Sequence, residues 1–84
     1  MKIGCLFSCD VWKSRGSMRL LGVFTDPRKL LAAVSKLVVD GAAVSRTDTP
    51  VLEMDERMLA DGVDYIHIEW LDENCLEGRP VEAP

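Results

Sequence analysis

One histidine, one tyrosine, two tryptophans and three cysteines in 84 residues leave few groups for chemistry. The single His67 sits between two isoleucines, with Tyr65 and Glu69 two positions away on either side. A His–Glu base would need a nucleophile from elsewhere, and only Cys5, Cys9 or Ser8 on the first strand are candidates. A surface histidine in a polar strand face is the simpler reading. Six dispersed glycines form neither GxGxxG nor GxxxxGK[ST], which excludes the phosphate-cradling loops. The acid pairs Asp55-Glu56 and Asp72-Glu73 lack the alternating spacing of a calcium loop. No converging polar set marks a pocket, so neither an enzyme nor a cofactor site is expected.

The cysteines Cys5, Cys9 and Cys75 are odd in number, which fits a reducing compartment better than a disulfide framework. On one strand face, Cys5 and Cys9 would lie about 13 Å apart, too far for a disulfide or for one zinc ion. They read as small core hydrophobes. A site built from all three cysteines and His67 would require the first segment to abandon its strand. No apolar run approaches the roughly 18 residues of a membrane span. The start, MKIGCLFSC, is too short in its apolar part for a secretory signal, so a cytoplasmic location is expected.

What is present is a strand that runs straight into a capped amphipathic helix, SMRLLGVFTDPRKLLAAVSKLVVDG at residues 17–41. Residues 18–25 are apolar and β-prone; Asp26-Pro27 then changes the period. Proline at the first helical position gives up an N–H that lacks a partner anyway, and Asp26 can accept from the first turn. Leu30, Leu31, Val34, Leu37 and Val38 share one helical face, and Gly41 supplies the left-handed residue that ends it.

Around that fragment, residues 2–9 alternate as a first strand, with Ile3, Cys5, Phe7 and Cys9 on one face and Gly4, Leu6 and Ser8 on the other. A polar loop carrying Trp12 joins it to the second strand as an antiparallel hairpin, its tip mobile or put to use. In that second strand Met18, Leu20, Gly22 and Phe24 would share one face, and Arg19, Leu21, Val23 and Thr25 the other. Thr49-Pro50 resembles a second helix start, giving a short helix over 50–60; an edge strand at 51–54 competes with it. Residues 64–71, DYIHIEWL, form the cleanest strand, with Ile66, Ile68 and Trp70 facing the core. The two prolines and few anchors of residues 77–84 predict a frayed tail after a single domain at 1–76.

The expected fold is α+β: a three-stranded, mainly antiparallel sheet in the order β-β-α-(α)-β, with helices 26–40 and 50–60 on one face. Its bare face would carry Leu6, Leu21, Val23 and Tyr65 among Arg19, His67 and Glu69, more apolar than a solvated face needs.

Charge is segregated along the chain. Residues 1–47 hold eight basic and three acidic residues; residues 48–84 hold two basic and eleven acidic ones. Either the two sets interleave on folding, or the acidic half steers association with a basic surface.

The stretch LLGVFTDPRKLLAAV at residues 20–34, followed by the late strand DYIHIEWL, resembles small α/β proteins of phages and mobile elements, those of the anti-CRISPR or anti-defence type. The resemblance is one of fold and spans about residues 6–71. It implies an inhibitor that occupies a surface of its target in the host cytoplasm and catalyses nothing. The leading expectation is therefore a non-enzymatic protein-binding module. Asp55, Glu56, Asp61, Asp64, Glu69, Asp72 and Glu73 would meet a basic or nucleic-acid-binding surface of the target protein, anchored by Tyr65, Trp12 or Trp70. A homodimer through the bare sheet face is the runner-up. Nucleic-acid binding by the basic loop at 12–19 is opposed by the overall charge of −4.

Overall fold

Glycine at position 4 lets the long helix and the Trp70 ring lie close on the sheet. The computed structural model describes residues 2–76 and 79–80. Strand β1 (Lys2–Ser8) is the centre of an antiparallel sheet, flanked by β2 (Arg19–Phe24) and by β5 (Ile66–Asp72). Gly4 and Leu6 of β1 face helix α1 (Pro27–Val39) and are buried. A Cβ at position 4 would stand only 2.8 Å from Leu30 Cδ1 and 2.9 Å from the Trp70 ring.

Helix α1 forms as its sequence predicts. Asp26 accepts the Arg28 N–H at 2.9 Å, and Pro27 opens the first turn. Gly41, at φ 80°, closes the helix; the Ala42 N–H bonds back to the Leu37 carbonyl and the Gly41 N–H to that of Val38. Leu30 and Val34 are fully buried, each worth about 1.5–3 kcal/mol of apolar burial.

The expected helix at 50–60 is corrected. Pro50 makes no side-chain cap and leads only into a 3-10 turn at Val51–Glu53. Met54 is then extended, which places its side chain in the core beside Val51. Asp55 caps the true helix, α2 (Glu56–Gly62), by accepting the Met58 N–H at 2.8 Å. The edge-strand alternative does not occur either.

The late strand is divided. Val63–Asp64 (β4) pairs with Val44–Ser45 (β3) as a separate two-stranded ladder. Tyr65, at φ 70°, then turns the chain into β5. Ile66 is buried, and Ile68 and Trp70 pack on the core, as the alternation predicts. A further ladder joins Cys75–Leu76 (β6) to Arg79–Pro80 (β7). The rest of the tail expected at 77–84 lies outside the described residues.

The fold is thus α+β, with a three-stranded antiparallel sheet, two helices and a second, two-stranded sheet. The make-up of the bare face needs correction. Leu6 is 2% exposed and belongs to the core, because the helices cover the side shared by Gly4, Leu6 and Ser8. A bulge in β2 breaks strict alternation: Leu6 opposes Gly22, but Phe7 opposes Leu20. Leu20 therefore moves to the outer face and Leu21 becomes the extra residue. The outer face carries Ile3, Cys5 and Phe7 of β1, Leu20 and Val23 of β2, and His67, Glu69 and Leu71 of β5.

Candidate functional site

The connection between β1 and β2 is tied down along its length. The Ser14 N–H donates to Asp10 Oδ1 at 3.0 Å and its hydroxyl donates to Asp10 Oδ2 at 2.7 Å. The Asp10 N–H donates to Ser17 Oγ at 3.0 Å, and the Lys13 N–H to the Asp10 carbonyl at 3.1 Å. The backbone and hydroxyl bonds from Ser14 hold the Asp10 carboxyl below its ordinary pKa. Lys13 sits at φ 53° and its ammonium donates to the Ala60 carbonyl near the end of α2. Burial pushes the Cys9 thiol up, against a smaller opposing pull from Lys13.

This bracing presents Trp12 to solvent at 84% exposure, with Val11 beside it in sequence. The Cys9 N–H donates to the Tyr65 carbonyl at 3.0 Å, which brings the root of the loop to the second exposed aromatic. Trp12 and Tyr65 therefore belong to the same end of the sheet, where β1 finishes and β5 begins. Trp70 does not join them: it lies on the inner face, packed on the core opposite Gly4.

The acidic residues do not form one group. Asp61 and Asp64 stand near the aromatic end, beyond Ala60, and Asp64 is bonded to Arg46 at 2.7 Å. Asp55 and Glu56 open α2 at the opposite end, where Glu56, Lys2, Pro27 and Trp70 line a shallow hollow. Asp72 pairs with Lys2 at 3.1 Å, and Glu73 follows it in the turn after β5. Glu69 lies on the outer face with its Oε1 3.0 Å from His67 Nε2.

Cys5 shares the outer face with that His67–Glu69 pair, in register with Glu69, but no hollow gathers the three among the described residues. The Phe7 ring lies beside that of His67, their centroids 6.0 Å apart. The hollows beside α2 are lined by Thr47, Arg57, Met58, Asp61 and Gly62, or by Glu56, Leu59, Ala60, Ile68 and Trp70; among the described residues neither His67 nor a cysteine lines them. Among the described residues no group of histidine, cysteine and acids could hold a metal ion, and no helix is long and apolar enough to cross a membrane.

Sequence reasoning missed Ile3, Phe7, Leu20 and Leu71 on the uncovered face. The available clue was Gly4: a glycine amid large strand residues marks the side a helix approaches, and so assigns Ile3, Cys5 and Phe7 to the other. Compared with known proteins, the chain matches no protein-family model, no curated protein and no solved structure.

Proposed function

We propose that this chain is a non-enzymatic protein-binding module whose contact surface is the end of the sheet bearing Trp12 and Tyr65. The observation that carries this reading is a tryptophan 84% exposed on a loop braced by Asp10, Ser14, Ser17 and Lys13. Tryptophan brings a large apolar area with two side-chain torsions, and a loop already ordered loses little entropy on docking. Tyr65 adds a second anchor, and its left-handed backbone is a strain that a purely structural turn would relieve with glycine or asparagine. Asp61, exposed one residue beyond Ala60, supplies a negative charge at this end, fitting a basic rim around an apolar pocket of the partner. Blocking such a surface by occupancy, as an inhibitor does, requires no further chemistry from this chain.

The test is affinity capture from the native host with wild-type protein, Trp12→Ala and a control at the opposite end, the exposed Arg28→Ala beside Pro27. The expected result is a protein retained by wild type and control and lost from Trp12→Ala. Once purified, it should bind Trp12→Ala at least tenfold more weakly, which corresponds to about 1.4 kcal/mol. Equal capture by all three proteins would refute the reading. Exposed Arg15 and Arg19, in the same loop as Trp12 and at the start of β2, support a second reading, stacking on single-stranded nucleic acid. Oligonucleotide quenching of Trp12 fluorescence at low salt would put it in first place.

A further inference from the structure

We infer that a second copy of this chain covers the outer face of the β2–β1–β5 sheet, giving a symmetric dimer of stacked sheets with the helices outside. This inference does not rest on the aromatic end. It starts from the composition of the face. An antiparallel sheet can leave one side in water, but that side then reads as polar. Here Leu20, Val23 and Leu71 are 54%, 56% and 50% exposed, and Ile3, Cys5 and Phe7 are only half-buried between them. The nine fully buried apolar residues all belong to the core on the helix side, so half of the sheet's apolar side chains lie outside it.

Charge selects the occupant. In a two-fold interface each patch meets its own copy, so any net charge on the patch repels itself. The chain carries −4 overall, yet this face holds a single carboxylate, Glu69, whose Oε1 lies 3.0 Å from His67 Nε2. Lys2 and Asp72 pair with each other at the margin. A strongly basic or acidic partner would find little complement on this face, whereas a second copy brings only one carboxylate, already hydrogen-bonded to His67.

Area sets the strength. Three strands about 4.8 Å apart and seven residues at about 3.3 Å each give a face of roughly 15 by 23 Å. Two such faces bury roughly 700 Å², below the roughly 1,200 Å² of stable specific interfaces, so the dimer is weak, reversible and dependent on concentration. The two sheets would lie about 10 Å apart, with Leu20, Val23 and Phe7 interleaving.

Sedimentation equilibrium of the full chain from about 1 to about 500 µM tests this, because mass action exposes a weak dimer. The mass should rise from 9.3 kDa toward twice that value. Val23→Lys and Leu71→Lys, both at exposed positions, should each move the midpoint at least tenfold higher in concentration with unchanged circular dichroism. Val39→Lys, 82% exposed on α1, should leave the curve as it is. A mass of 9.3 kDa at every concentration overturns the inference. So does a Leu71→Lys curve identical to wild type beside a shifted Val23→Lys curve, since that pattern means pairing through the open β2 edge.

Discussion

Gly4 is where a single atom decides the packing. An added methyl there meets Leu30 at 2.8 Å and the Trp70 ring at 2.9 Å, and both neighbours are held by the core. Gly4→Ala should therefore cost about 1–3 kcal/mol, read as a lower urea midpoint at unchanged slope. Tyr65 presents the reverse case. Asparagine adopts its φ of 70° more easily, and the tyrosine is 43% exposed, so little burial is lost on replacement. Tyr65→Asn should hold or raise stability by up to about 1 kcal/mol while weakening partner binding; a clear loss of stability would make Tyr65 a packing residue instead. Asp10 titrates below its ordinary value because Ser14 bonds its charged form. The loop support is thus complete at neutral pH and fades only as the pH falls through that lowered value. In a Trp70→Phe background, the fluorescence anisotropy of Trp12 should stay level through the ordinary carboxylate range and drop only below it, and Asp10→Ala should lower it at every pH above that drop.

At the scale of elements, α1 was legible because its start, its apolar face and its end were each encoded locally, by Asp26-Pro27, the Leu30 to Val38 pattern and Gly41. The second helix was not. Thr49-Pro50 has the chemistry of a start, but burial of Val51 and Met54 requires an extended residue three positions later, and only Asp55 ends up where a cap can accept. Asp55→Ala should cost about 1 kcal/mol in thermal or urea unfolding, and Thr49→Ala less than about 0.5 kcal/mol. Equal costs would mean that Thr49 caps after all. The β2 bulge was also invisible, since nothing in RLLGVF distinguishes Leu20 from Leu21 until Phe7 is placed opposite. The aromatic end was half legible: Trp12 and Tyr65 stood out as anchors, but the Cys9–Tyr65 bond that brings them to one end is made between segments more than fifty residues apart.

Across the whole molecule, the basic and acidic halves of the chain are laced together rather than set side by side. Central β1 comes from the basic half and bonds β2 from its own half and β5 from the acidic one. Lys2–Asp72 and Arg46–Asp64 each join one half to the other. Such exposed pairs contribute little, so Lys2→Met should change stability by less than about 1 kcal/mol; what joins the halves is the β1–β5 ladder. Its register runs from Lys2 opposite Asp72 to Ser8 opposite Ile66, contacts that close a loop of nearly the whole described chain. A ladder of that kind cannot open locally without releasing both halves, whereas the outer edge of β2 bonds nothing among the described residues. Native-state hydrogen exchange should therefore find the β1 amides slowest, opening only with the global unfolding free energy, and the outward amides of β2 faster by orders of magnitude. If β1 instead exchanged faster than α1, the helix and not the central strand would be the last element to unfold, and the β1–β5 ladder would not be what unites the two halves.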